Sequence, residues 1–219
     1  MPRLLFKKTG NAIWISHLDL MRLFQRGFKR AGLPLKHTQG FNPRPSVSIA
    51  LPLSVGVESN CELLDFDLDG CDCNCSEVKQ KLQNVLVEGV SVIDCYECRR
   101  KIRDLALLRT SIALEYTSGA ANEAVDAIRQ LFASSSIVVT KKSKNGPVAQ
   151  DIMPMIRDLT VEQTDFDTIC IRAVVCCQNP SLNPQLLVQA IENYIPEYKP
   201  DFSKCIREEI YDSEMKVFR

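Results

Sequence analysis

Apolar and polar positions alternate over residues 3–15, broken by Thr9-Gly10-Asn11, and this predicts a strand or short hairpin. The spacing then changes to helical. Leu20, Leu23, Phe24, Phe28 and Ala31 share one face, Ser16 with Asp19 three residues on marks the start with His17 in the first turn, and Gly32 and Pro34 mark the end. Residues 36–45 read as a loop, Val47-Ile49-Leu51 and Leu64-Phe66-Leu68 as two alternating strands, 76–86 as a helix and 90–93 as a fourth strand. The order is β-α-β-β-α-β.

The order recurs after the basic stretch Arg99-Arg100-Lys101-Ile102-Arg103. Strand patterns fall at 107–116, 137–141 and 168–177, with extended segments at 151–156 and 159–163 and a last strand at 203–211. Helical patterns fall at 121–132 and from Asn183-Pro184 to about Tyr194. The reading is an α+β chain of two ferredoxin-like (βαββαβ) modules with mainly antiparallel sheets, residues 1–98 and 104–219, the second with one extra strand.

Composition adds a boundary to this picture. With 45% apolar and 25% charged residues, the 219-residue chain has the make-up of a globular protein with a real core. No apolar run is long enough to span a bilayer and no signal-peptide pattern opens the chain, which predicts a cytoplasmic protein without a membrane role. In that setting the ten cysteines are reduced thiols or metal ligands rather than a disulfide framework. Cys170 and Cys176 lie in an apolar run and suit core packing. Cys71, Cys73 and Cys75 form C-x-C-x-C, and Cys95 with Cys98 forms C-x-x-C; four of these five are a weak candidate for a tetrahedral zinc site, against incidental surface cysteines.

The equal totals of 27 basic and 27 acidic residues conceal an uneven distribution. Residues 1–50 hold nine basic groups and one acid, a net of +8, and residues 51–95 hold two basic groups and nine acids, a net of −7. Arg22, Arg26, Lys29 and Arg30 fall at helical spacing on the first helix, and Lys36, His37 and Arg44 follow in the loop. Such a surface suits RNA phosphates, although a solvated helix face or an acidic partner protein would produce the same stripe. Within the loop, Gly40 permits close backbone approach, Pro43 and Pro45 hold Arg44 extended, and Gln39, Asn42 and Phe41 offer amide hydrogen bonds and a stacking surface; a rigid crossover with Phe41 in the core is the alternative. His17, at a helix start, is a candidate general base without an evident nucleophile beside it. Phosphate-loop, dinucleotide, metalloprotease and nucleophile-elbow motifs are absent, as is the three-cysteine pattern of radical SAM clusters, so activity of this chain as an enzyme on its own has little support.

Five segments carry a resemblance. They are Lys8-Thr9-Gly10, Ile15 to Arg22, Arg30 to Pro34, Gln39 to Pro45, and Leu51-Pro52-Leu53-Ser54-Val55-Gly56-Val57-Glu58-Ser59. Together they resemble the bacterial radical-SAM-linked domain of unknown function, densely over residues 3–68 and more loosely through Asp151-Ile152-Met153-Pro154 and the helix after Asn183. That family occurs fused behind cobalamin-type radical SAM proteins or encoded beside them, often near ribonuclease G and ribosomal-protein genes. The resemblance implies an accessory subunit of such a protein, with iron–sulfur cluster and SAM in the partner and no cofactor in this chain, and with RNA (tRNA or rRNA) as the substrate. The cysteine-rich segment 71–98 departs from the family pattern. The paired-module reading is also similar to the repeat-associated RNA endonucleases of CRISPR systems, which carry a histidine on an early helix, and this implies metal-independent ribonuclease activity with His17 as base. A purely protein-binding module is the third expectation.

Overall fold

A computed structural model describes residues 1–70, 73–143 and 146–219. The chain divides into two compact units, one of residues 1–104 with Arg219 and one of residues 105–218. It is a mixed α+β protein whose strand pairs within each unit are antiparallel among the described residues. No helix of the described residues is long and apolar enough to cross a membrane.

The first unit runs β1 (Pro2–Lys8), α1 (His17–Arg30), β2 (Val47–Ile49), β3 (Glu58–Phe66), α2 (Cys75–Gln83) and β4 (Val90–Glu97), and its strands lie in the order β4-β1-β3-β2. A 3₁₀ turn, Gly10–Trp14, replaces the second arm of the expected N-terminal hairpin. The helices lay their apolar faces on the sheet: Phe24 of α1 meets Phe6 of β1 edge-on at 4.7 Å between ring centres, and Phe28 meets Phe66 of β3 at 5.0 Å. Gly27 brings α1 close to the segment after α2, since a Cβ there would stand 3.4 Å from Leu86.

Charged groups reinforce β1 and β3 from inside. Arg3, 2% exposed, lies directly across from Asp65 and grips it with two hydrogen bonds of 2.5 and 3.0 Å. Lys8, 1% exposed, sends its ammonium to the carbonyls of Ile13 (3.1 Å) and Ile15 (2.7 Å), tying the 3₁₀ turn and the entry to α1 onto the strand. Burial lowers the Lys8 pKa, while Glu62 on β3 pulls it the other way. Arg3 and Lys8 are two of the nine basic groups of residues 1–50, and both are buried, so they add nothing to a basic surface.

The second unit runs β5 (Leu107–Glu115), α3 (Ala124–Phe132), β6 (Val138–Ser143), β7 (Gly146–Asp151), β8 (Ile156–Asp165), β9 (Thr168–Cys176), α4 (Gln185–Tyr194) and β10 (Phe202–Tyr211). Its main strands lie in the order β10-β5-β9-β8, and β6 and β7 pair as a separate hairpin. With that hairpin set aside, element order and strand order are the same in both units. The single extra strand expected from the sequence is therefore a two-stranded insertion. It sits between the first helix and the second main strand, the same connection that carries residues 36–46 in the first unit.

Candidate nucleic-acid interface on the first helix

The Ser16 side chain caps α1 by accepting from the Asp19 amide at 3.2 Å, and its hydroxyl donates to the Asp19 carboxylate at 2.7 Å. Arg22 donates to the other oxygen of that carboxylate at 2.9 Å. These two bonds, the Ser16 hydroxyl's first, hold the Asp19 pKa below the usual carboxylate range. One helical turn apart, Arg22, Arg26 and Arg30 project along a groove of about 480 Å³, lined besides by Ile15, Leu23, Gly27, Val85 and Val87. Neither Arg26 nor Arg30 forms an ion pair among the described residues.

The expected single stripe is split. Lys29 faces a second groove of about 520 Å³, with Gln25, Leu33, Pro34, His37 and Pro45. The 100° step per residue separates Lys29 from the i, i+4, i+8 series of the arginines. Lys29 and Arg30 also fall in the last turn, where positive charge complements the helix dipole.

Residues 36–46 are more ordered than a loop. Ser46 donates its amide to Lys36 O at 2.7 Å, Thr38 to Arg44 O at 2.9 Å, and the Arg44 amide to the Thr38 hydroxyl at 3.0 Å. The result is a narrow two-stranded ribbon whose tip, Gln39 to Pro43, turns at Gly40 with φ +132°. Phe41 stands fully exposed at that tip, which settles the choice against a core plug. Gln39, Asn42 and Arg44 are exposed beside it, and Lys36 leans toward Asp67 at 3.8 Å.

His17 is the first residue of α1, half-buried, and lines neither groove. The described cysteines do not converge on a metal site. Cys71 lies outside the described residues. The Lys81 ammonium donates to the Cys73 sulfur at 3.4 Å, and the Cys98 thiol donates to Arg100 O at 3.4 Å. No group of three or more His, Cys, Asp or Glu among the described residues is placed to hold a metal ion, so the four-thiolate arrangement is not assembled there.

A family model described as an uncharacterized protein conserved in bacteria (DUF2344) matches residues 2–184. The chain belongs to this family. The match takes in α1, the ribbon and both units up to the start of α4. No curated protein matches the chain. Among solved structures it is similar to a chain in the crystal structure of a Cbf5-Nop10-Gar1 complex, at 9% identity and a TM-score of 0.54 over 98% of this chain and 50% of that one. This chain thus spans half the length of that neighbour, and the likeness is one of fold alone. An unknown protein from Galdieria sulphuraria aligns at 10% identity and a TM-score of 0.26, over 94% of this chain and 96% of that one.

Proposed function

We propose that the first unit binds the phosphate backbone of RNA along α1 and presents the RNA to a radical SAM partner, as the accessory subunit of that enzyme. The observation that carries this reading is the groove itself. Arg22, Arg26 and Arg30 repeat every 1.5 × 4, about 6 Å, along the helix. That is close to the phosphate spacing of an extended single strand, and among the described residues two of the three form no ion pair. The ribbon supplies the second element, since a fully exposed aromatic ring beside an arginine is a platform on which an unpaired base stacks. Lys29, Lys36 and His37 extend the basic surface, and Gln39 and Asn42 provide amide contacts to base edges. In this reading both units are ferredoxin-like modules, the iron–sulfur cluster and SAM belong to the partner, and the chain itself catalyses nothing.

Fluorescence anisotropy with a short labelled single-stranded RNA tests the proposal. Affinity should fall linearly in log salt, weaken in Arg26→Ala and Arg30→Ala with a shallower salt slope, and weaken in Phe41→Ala with little change of slope. Binding that is undetectable at low salt, or indifferent to all three substitutions, overturns it.

A further inference from the structure

The chain has a single tryptophan, and its side chain is 67% exposed although an indole has much apolar surface to bury. Trp14 ends the 3₁₀ turn before α1, and its backbone is held on both sides. The buried Lys8 ammonium donates to the carbonyls of Ile13 and Ile15, the Gly56 amide donates to Ile13 O at 3.0 Å, and the Ile15 amide to Ala12 O at 3.0 Å. The indole lies over Gly56, where a Cβ would stand 3.5 Å from the six-membered ring. A scattered surface side chain needs no explanation, but this one is exposed on a backbone fixed by a buried charge. The next residue, Ile15, lines the arginine groove, and Asp19, Arg22, Arg26 and Arg30 follow along it. The indole therefore stands where the row of cations begins.

We propose that Trp14 is a stacking platform for an unpaired nucleobase whose strand continues along the arginine groove. This rests on the RNA reading above and adds to it a residue and a ligand chemistry at the start of α1. Two features favour a base as the occupant. A flat ring already fixed on the backbone loses little freedom when a second flat ring covers it, so most of the stacking energy is kept as affinity. The groove that opens at the next residue supplies positive charge for the phosphates of the same strand, and a base carries its phosphate with it. Stacking is also open to any base, since each has a π-face, so Trp14 selects single strands over duplexes rather than one sequence over another. With Phe41 on the ribbon, whose base shares the second groove with Lys29 in the last turn of α1, an aromatic platform lies toward each end of the helix.

Because the chain has one tryptophan, its indole emission reports this site alone. Titrating the full-length protein with a short single-stranded RNA should quench that emission with the same midpoint as the anisotropy of the labelled strand. Inorganic polyphosphate, which offers charge without bases, should leave the emission unchanged. Trp14→Ala should weaken binding of the RNA by about fivefold or more without changing the salt slope, and Trp14→Phe should keep most of the affinity. The quenching is read on the wild-type protein, so it decides even if Trp14→Ala folds poorly. Equal quenching by polyphosphate, or RNA binding that neither quenches nor weakens in Trp14→Ala, overturns the proposal. If Arg26→Ala still weakens binding in that second case, the RNA reading stands and Trp14 is left to a protein partner. No RNA binding at all removes both.

Discussion

Asp19 sits on the rim of the arginine groove and holds Arg22 at 2.9 Å. While that bridge is closed, Arg22 is tied to Asp19 and Arg26 and Arg30 are left to meet phosphates, Arg26 within the field of the same carboxylate; Asp19→Asn should release Arg22 as a third. Each phosphate neutralised on a single strand contributes about −0.7 to the slope of log affinity against log salt, so the share of the slope carried by the groove arginines should steepen from about −1.4 to about −2.1. Between about 50 and about 200 mM salt, the loss of affinity should then grow from about sevenfold to about twentyfold. The helix responds in the opposite sense, because the substitution removes a negative charge from its first turn and an acceptor from Ser16. The expected signature is tighter RNA binding at low salt in a protein that melts slightly lower. Anisotropy across a salt series and thermal melting on the same preparation measure both. A slope in Asp19→Asn that is unchanged or shallower would refute the assignment of these arginines to phosphates.

Three further outcomes test the fold that positions the site. Lys8→Met removes a buried ammonium from two carbonyls and from the field of Glu62, and should cost about 3–5 kcal/mol by urea denaturation; a loss below about 1 kcal/mol would mean the ammonium is not holding the turn before α1. Gly89 has φ +83°, and an added Cβ would stand 2.4 Å from Thr9 O and 2.8 Å from the Ala12 Cβ. Gly89→Ala should therefore cost about 2–5 kcal/mol, from left-handed backbone and overpacking together, whereas Gly40→Ala, with open space around it, should cost about 1–2 kcal/mol; equal losses would contradict the packing. Burial pushes the phenols of Tyr96 and Tyr116 up to about 12, so the fold favours their neutral forms. Their contribution to stability is intact below pH 10 and is lost as pH rises through 12, and absorbance at high pH should show late-titrating phenols that disappear in Tyr96→Phe and Tyr116→Phe.

Much of this architecture was legible because period and chemistry agreed. The Ser16–Asp19 start and the apolar face of α1 are those the spacing predicts, the helix stops just before Gly32, and α2, expected over 76–86, spans Cys75–Gln83. Its cap, Asn74 paired reciprocally with Glu77, follows the same logic with Asn in place of Ser. Alternation failed where strands bury charge. Residues 58–63 belong to β3, but Glu62 is 1% exposed and broke the pattern, so the sequence marked only the strand's second half. At β8 the expected segment ended at Gln163, and the strand runs from Ile156 to Asp165 despite a mostly polar face. At the site, sequence spacing gave the arginines but not their division between two grooves, which depends on what packs beside α1. The ribbon carries no strand pattern in the sequence because its pairing runs through Lys36, Thr38 and Ser46, none of which is apolar. Lys8 stood in a family motif with its role unassigned; a lysine one residue before a Thr-Gly-Asn turn was the available clue.

The two insertions at corresponding connections have a practical meaning. In the first unit the base of this connection still bonds to the end of β3, Lys36 to Asp67 O at 2.9 Å and Asp67 to Ser46 O at 3.1 Å, so length can change at the tip of the ribbon without altering register. Loop-closure entropy grows only by about 0.6 kcal/mol per doubling of length. The ribbon of residues 36–46 and the β6–β7 hairpin thus mark sockets for grafting, where a designed hairpin could replace either insertion and recast what the unit recognises while its sheet stays as it is.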